Sequence, residues 1–412
     1  MSTNPSYPPI PVDSVDQEML DWKPRAPEIF SRAEVERQTG PYAAAITAPI
    51  AEWAPLMSGA DSADVEDATR ALVEFGQHAQ RALGTGSPAL GPMSAILLRT
   101  ESASSSQIEQ LTTSAKQLAL AEIEEGDKAN ALTVLGNVRA MEAALRLADD
   151  ISEGSILAMH HALLTHQTGL AHEAGRYRQE AVWIGPGNAG PRTATFVAPH
   201  HGRIPGAMGD LISFIGRNDV SVLVQVAVAH AQFETIHPFV DGNGRTGRAL
   251  AQSILRNKGL VGSMAVPISA GLLLDTESYF AALGSFRDGD AGPIIREFAK
   301  ASRIAANTGA RLVDSLAEQL DQSRRKMKGI RADAAAWRVL PYLIGQPAVN
   351  TKYLMTHLGL REMAALRAID TLAARDVLTE TTGRGRNRVW QHRDILGVLD
   401  AYAAEIRRMT VR

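Results

Sequence analysis

The amino-acid sequence predicts a mainly α-helical protein, with one small β-hairpin in its helical core and a winged-helix domain toward its C-terminal end. Three observations carry that expectation. Apolar residues recur at helical spacing through most of the chain, as in Asp64 to Arg81, where Ala68, Leu72, Val73 and Phe75 share one side. A Gly/Pro cluster at 185–191 is flanked by two short β-prone pieces, 181–184 and 193–197, which is the pattern of a hairpin. Residues 334–395 run as helix, capped short helix, third helix and then two β-prone pieces around an arginine-rich turn, the order of a winged helix-turn-helix.

Bulk composition narrows the function classes. Of 412 residues, 45% are hydrophobic and 21% charged, ample for the cores of roughly two or three domains. A net charge of −3 argues against a protein that coats nucleic acid or anionic membrane. With 0 cysteines, disulfides and thiolate metal sites are excluded and a reducing compartment fits. The segment Met1-Ser-Thr-Asn-Pro-Ser-Tyr-Pro-Pro-Ile-Pro lacks the basic start and apolar core of a signal peptide, and no apolar run reaches the ~18 residues of a membrane span. A cytoplasmic protein without membrane contact is expected.

In chain order, residues 1–24 read as a loose Pro/Ser-rich arm and 25–150 as a helical region, including Tyr42 to Trp53. Gly84 to Gly91 is a breaker cluster. The serines of Ser102-Ala-Ser-Ser-Ser-Gln-Ile-Glu-Gln-Leu111 precede an apolar-periodic run and read as a helix start, with Ser105 and Glu109 four apart on one face and helix continuing to Leu147. Residues 151–305 form the core. Its helix from Ile151 to Thr165 holds His160 and His161 without an H-E-x-x-H pattern, so packing or surface roles are expected rather than a metal site. Ser221 to Ile236 is apolar on every side and reads as a buried central helix. Residues 306–332 form a helical connector, and 333–412 the winged helix-turn-helix plus a C-terminal helix. Arg384, Arg386 and Arg388 on the wing, with Arg361 and Arg367 on the third helix, could contact phosphates, though such modules equally serve protein docking.

The chemistry concentrates in His237-Pro-Phe-Val-Asp-Gly-Asn-Gly-Arg-Thr-Gly-Arg248. A loop that opens a helix aims unpaired backbone N–H groups at an anion, and Gly242 and Gly244 let the backbone approach a phosphate. Asp241 is a hard oxygen ligand suited to Mg²⁺. Arg245 and Arg248 lie three apart on one helical face, and His237 is the natural proton acceptor. The run Gly242-Asn-Gly-Arg-Thr-Gly247 also fits a dinucleotide fingerprint. That reading fails because Pro238 interrupts the approach and no ribose-binding acid follows at about twenty residues.

This run resembles the His-Pro-Phe-x-[Asp/Glu]-Gly-Asn-Gly-Arg-x-x-Arg signature of the Fic-domain family at every fixed position. The resemblance implies an all-helical core and transfer of AMP from ATP to a Ser, Thr or Tyr hydroxyl of a protein. His237 would then be the catalytic base and Asp241 would hold Mg²⁺. Gly242, Asn243 and Gly244 would cradle the anion, with Thr246 and Gly247 in the same nucleotide-binding turn, and Arg245 and Arg248 would hold the β- and γ-phosphates. The hairpin would be a flap that clamps the target by strand addition, with Val182, Trp183, Ile184 and Gly185 beside nucleotide or target. Tyr279 resembles an aromatic on the adenine side. Ser105-x-x-x-Glu109 resembles the [Ser/Thr]-x-x-x-Glu-[Gly/Asn] inhibitory helix of one class of the family, whose glutamate would pair with Arg248; Gln110 stands where Gly or Asn is usual. AMP removal, transfer of another nucleotide, and a nucleotide-sensing DNA-binding regulator remain alternatives. Self-modification, homodimerisation and DNA contact are left open.

Overall fold

The computed structural model describes residues 8–186, 189–262, 264–381 and 388–410. The chain is mainly helical with small antiparallel sheets. It divides into two compact units, one of Met1–Glu66, Glu142–Gly259 and Thr276–Ala299, the other of Asp67–Met141, Leu260–Asp275 and Lys300–Arg412. Among the described residues, no helix is long and apolar enough to cross a membrane.

The first unit is built around the central helix Val222–Ile236. Its Val, Ala and Leu side chains point in every direction, and from Leu223 to Ile236 each residue is buried. The helices Ile204–Gly216 and Asn243–Asn257 pack against it, and the helix Glu153–Leu164 packs on the latter. Glu153–Leu164 starts in a capping box, with Ser152 and Ser155 each bonding the other's backbone N–H. Gln225, buried in the central helix, donates to the carbonyls of Phe214, Ile215 and Arg217 and so closes the end of the neighbouring helix.

The N-terminal expectation needs correction. Asp16–Trp22 is a strand, paired antiparallel with Gly40–Ile46 so that Asp16 faces Ile46 and Trp22 faces Gly40. Of the expected arm, residues 1–7 lie outside the described residues, and 8–15 are tied to the core. Ile10 is fully buried, its N–H donates to Asp290, and the Val15 N–H donates to the Arg287 carbonyl. Local propensity pointed the other way, because Tyr42-Ala-Ala-Ala-Ile is a good helix former. Burial decides instead. Tyr42, Ala44 and Val197 form a cluster under Leu20, Trp22 and Trp183, which only the extended register allows. This N-terminal hairpin backs the small hairpin Trp183–Ile184/Phe196–Val197. Trp22 meets Trp183 edge-on at 5.4 Å and donates its indole N–H to the Ala189 carbonyl at 2.8 Å.

In the second unit the serine cluster does not begin a helix. It forms the last turns of Leu90–Ile108, with Ser102, Ser104, Ser105 and Ser106 buried. Small side chains let another helix approach, and Asn137 donates to the Ser102 carbonyl and the Ser106 hydroxyl. Glu109 is the C-cap. The Leu111 N–H returns to the Ser106 carbonyl and the Gln110 N–H to Gln107, a Schellman turn. Gln110 takes the left-handed conformation (φ 62°) that such a turn demands, which explains why Gly or Asn suits this position. Helix does not continue unbroken to Leu147. It splits into Ala115–Glu122 and Ala129–Arg146. Val73 is 37% exposed, outside the buried side formed by Ala68, Leu72 and Phe75.

The C-terminal residues run as Ala335–Val339, Tyr342–Gly345, strand Ala348–Val349, Thr351–Leu358, Glu362–Ala374, and strands Thr379–Glu380 and Trp390–Gln391. Pro341 lies between the first two helices, where one was expected. Strand 390–391 lies between the other two. Arg384 and Arg386 lie outside the described residues. Arg388 pairs with Glu380 and lies over the Trp390 ring.

If the N-terminal hairpin is part of the folded core, Trp22→Ala will destabilise the chain by about 2–3 kcal/mol, less than a fully buried tryptophan because the ring is partly exposed. Urea denaturation checks this. An unchanged midpoint would contradict the packing.

Candidate functional site

The central helix ends at His237, whose backbone is left-handed (φ 49°, ψ 60°) while its N–H still bonds the Phe233 carbonyl at 2.9 Å. A non-glycine residue there costs roughly 1–2 kcal/mol and must be held. Arg178 holds it. Its Nε donates to the His237 carbonyl at 2.8 Å, and its backbone N–H donates to the Pro238 carbonyl at 3.0 Å.

The turn that follows is closed by Asn243. Phe239 N–H donates to its Oδ1 and its Nδ2 donates back to the Phe239 carbonyl, both at 2.9 Å. The Asn243 side chain, expected in the anion cradle, is therefore the staple that shapes the turn, and the residue is 3% exposed. Gly242 starts the helix at φ 78°, and a Cβ there would meet Leu163 at 2.6 Å. The Thr246 N–H makes the first bond of the helix, to the Gly242 carbonyl. The first-turn N–H groups ahead of it belong to the set that a helix start leaves for other acceptors.

Asp241 projects beside this start with 39% of its side chain exposed, accepting from Arg245 Nη2 at 3.1 Å and from Gln167 at 3.5 Å. Among the described residues, no group of three or more His, Cys, Asp or Glu side chains could hold a metal. The residues present thus fit an ion that takes one carboxylate and fills its shell with phosphate oxygens and water, as Mg²⁺ does, and fit poorly a zinc-like site.

The His237 ring is held in its neutral form. His237 Nδ1 faces the Glu234 carbonyl at 3.4 Å and a Glu234 carboxylate oxygen at 4.0 Å, so the proton belongs on Nδ1 and Nε2 keeps its lone pair. Burial first, then the Arg178 and Arg287 guanidinium groups, lower its pKa to about 4.

His160, noted in the sequence without a site role, and Arg178 and Arg287, which the sequence did not single out, build this geometry. His160 stacks on Phe239 (centroids 3.6 Å apart, planes 7° apart), accepts the Gly175 N–H on Nδ1 and donates from Nε2 to the Asp241 carbonyl. Its neighbours fix one neutral tautomer, and burial lowers its pKa to about 4. Arg287 donates to the Glu234 carbonyl and lies 3.8 Å over the Phe196 ring of the hairpin. A histidine inside a strongly apolar helix was a usable sign for His160. Nothing local marks Arg178 or Arg287.

Other expected site residues have different surroundings. Gly247 faces the central helix, where a Cβ would meet Glu234 and Phe233 at 2.9 and 3.0 Å, so it serves close helix packing. Thr246 is fully buried, and Arg245 and Arg248 are 2% and 3% exposed. Tyr279 is 1% exposed with its hydroxyl 2.7 Å from His230 Nε2, a core position rather than an open adenine-facing one. In the hairpin, Ile184 is exposed while Trp183 packs on Trp22; Gly185 (φ 115°) leaves no room for a Cβ beside Thr195, and the Val182 carbonyl accepts the Ala198 N–H. Ser105 is buried in its helix and Glu109 caps it.

Residues 150–255 match the Fic/DOC family. The chain is 31% identical over 182 residues to Protein adenylyltransferase fic-1 of Caenorhabditis elegans, a match covering 41% of this chain and 32% of that protein. It is 28% identical over 159 residues to Protein adenylyltransferase Fic of Nematostella vectensis, covering 38% and 33%. The chain thus spans about a third of the length of the curated relatives it matches. Among solved structures, a Fic family protein from Desulfovibrio desulfuricans G20 aligns with a TM-score of 0.48 at 24% identity, covering 80% of this chain and 95% of that one.

The buried histidines make stability depend on pH. His160 and His237 are lowered to about 4 and His230 to about 3, chiefly by burial, from an ordinary 6.5. Between those values the unfolded chain binds more protons, so stability is full above about pH 6.5 and is lost as pH falls toward 4. Urea midpoints measured from about pH 8 to 4 should hold level and then drop below 6.5. A level profile down to about pH 4.5 would contradict the burial of these rings.

Proposed function

We propose that this chain, which carries a Fic domain over residues 150–255, moves AMP from ATP to a Ser, Thr or Tyr hydroxyl of a protein. The observation that carries the reading is the neutral, strained His237 set immediately before a helix start suited to polyphosphate. The names of the relatives, protein adenylyltransferases, support the same reaction. In the catalytic domain we assign to residues 151–305, the acceptor hydroxyl attacks the α-phosphorus as His237 Nε2 takes its proton. The bond from the α-phosphorus to the bridging oxygen breaks, and pyrophosphate leaves. Catalysis of this kind is mainly positioning and charge stabilisation.

Asp241 is the residue to hold Mg²⁺, which supplies positive charge to the departing phosphates. The backbone of Gly242 to Gly244 cradles phosphate, while Arg245 and Arg248 provide the guanidinium charge for the β- and γ-phosphates. Asn243 contributes by fixing the turn, not by its side chain reaching ligand. The hairpin Trp183–Ile184/Phe196–Val197 is the element we assign to target binding by strand addition.

Autoinhibition by Glu109 through Arg248 belongs to the same reading. It is supported by the Ser105-x-x-x-Glu109 spacing and by the Schellman turn that ends the helix at Glu109. The C-terminal module fits protein docking better than DNA. The outer face of Glu362–Ala374 alternates Glu362 and Asp370 with Arg367 and exposes Met363 at 63%, a mixture that phosphates would not favour. We place the activity in the cytoplasm.

His237→Ala should cut labelling of protein by radiolabelled ATP by about 10²–10⁴-fold while ATP binding, measured by calorimetry, persists. Labelling at the unsubstituted rate would remove His237 as the base. Glu109→Gly should raise self-labelling, and unchanged or lower labelling would count against the inhibitory glutamate.

A further inference from the structure

We propose that Arg178 is the positioning residue that joins the target-clamping hairpin to the base, so that one guanidinium fixes both ends of the hairpin relative to His237. The proposal deepens the AMP-transfer reading and rests on it for its activity readout. Arg178 is 1% exposed, and its guanidinium donates to the backbone carbonyls of Glu180, Pro199, His237 and Ile236. Nη1 donates to Glu180 at 2.8 Å and Nη2 to Pro199 at 2.7 Å, which lie just outside the paired strands Trp183–Ile184 and Phe196–Val197. Nε donates to His237 at 2.8 Å, and Nη2 also reaches Ile236 at 3.5 Å. The Ala198 N–H to Val182 carbonyl bond is the hairpin's last rung next to this clamp.

The residue type follows from the geometry. Carbonyls diverging around one point need a planar fork with donors on every side, which guanidinium has and ammonium lacks. The nearby Glu180 carboxylate is engaged by Arg25 at the surface. Burying the guanidinium costs desolvation, which its hydrogen bonds to the carbonyls offset. Burial lowers the Arg178 pKa to about 10, so it stays charged at neutral pH. Because the clamp grips the His237 backbone, any shift of the hairpin neck moves the proton acceptor with it. The acceptor hydroxyl, held by the hairpin edge, and Nε2 therefore stay in register.

The test uses the full chain bearing Glu109→Gly, with Arg178→Lys and Arg178→Ala added separately. Arg178→Lys keeps the charge and stem but not the fork, and should lower self-labelling by about 100-fold with ATP affinity unchanged, because no phosphate contact is lost. Millimolar methylguanidine should restore labelling to Arg178→Ala and not to His237→Ala. Hydrogen exchange at the Ala198 amide should accelerate, and the His237 ring resonances should shift, in both Arg178 variants. Wild-type labelling by Arg178→Lys, or unchanged Ala198 exchange and His237 resonances, would overturn the proposal. If Arg178→Ala fails to fold, Arg178→Lys decides. If the Glu109→Gly parent labels nothing, the AMP-transfer reading fails, and exchange at Ala198 together with the His237 resonances judges the clamp alone.

Discussion

The site depends on one backbone constraint: a histidine held left-handed at the end of a fully buried helix. Without that reversal the central helix would run on, and the imidazole would rotate away from the helix start that follows. Pro238 bars continuation, Arg178 fixes the His237 carbonyl, and the Asn243 staple sets where the next helix begins. Conformational cost is concentrated at one residue and offset by hydrogen bonds from three separate segments, which is how strained functional residues persist.

The same burial that stiffens the turn also tunes its chemistry. Two guanidinium groups, Arg178 and Arg287, flank a ring that burial already keeps neutral. Each also has a mechanical task, one at the hairpin neck and one against Phe196. Charge and shape are thus set by the same side chains. His160 repeats the pattern on the other side of the turn, where a single neutral tautomer bridges the Gly175 amide and the Asp241 carbonyl.

What the sequence made legible follows from the range of the interactions. The run from His237 to Arg248 could be read because its staple, its glycine and its two arginines lie within twelve contiguous residues, and the apolar central helix announced its own burial. The strand Asp16–Trp22 could not be read that way. Its partner lies about two dozen residues on, and Tyr42-Ala-Ala-Ala-Ile carries a helical preference that packing under Trp22 and Trp183 overrides. The serine cluster misled for a related reason. Serine favours helix starts in isolation, yet here its small volume admits Asn137 at a helix end. Arg178 was invisible because its carbonyl partners come from three places in the chain, and no local pattern encodes them.

The central claim is that the turn between Ile236 and Asn243 gathers a nucleotide's phosphates beside a free imidazole nitrogen. A crystal structure of the Glu109→Gly chain with Mg²⁺ and a non-hydrolysable ATP analogue tests it most directly. The account predicts phosphates over the first N–H groups of the helix Asn243–Asn257, next to Asp241 and Arg245, with His237 Nε2 open toward the α-phosphate. Nucleotide bound elsewhere, or a His237 ring turned away from the bound phosphates, would contradict it.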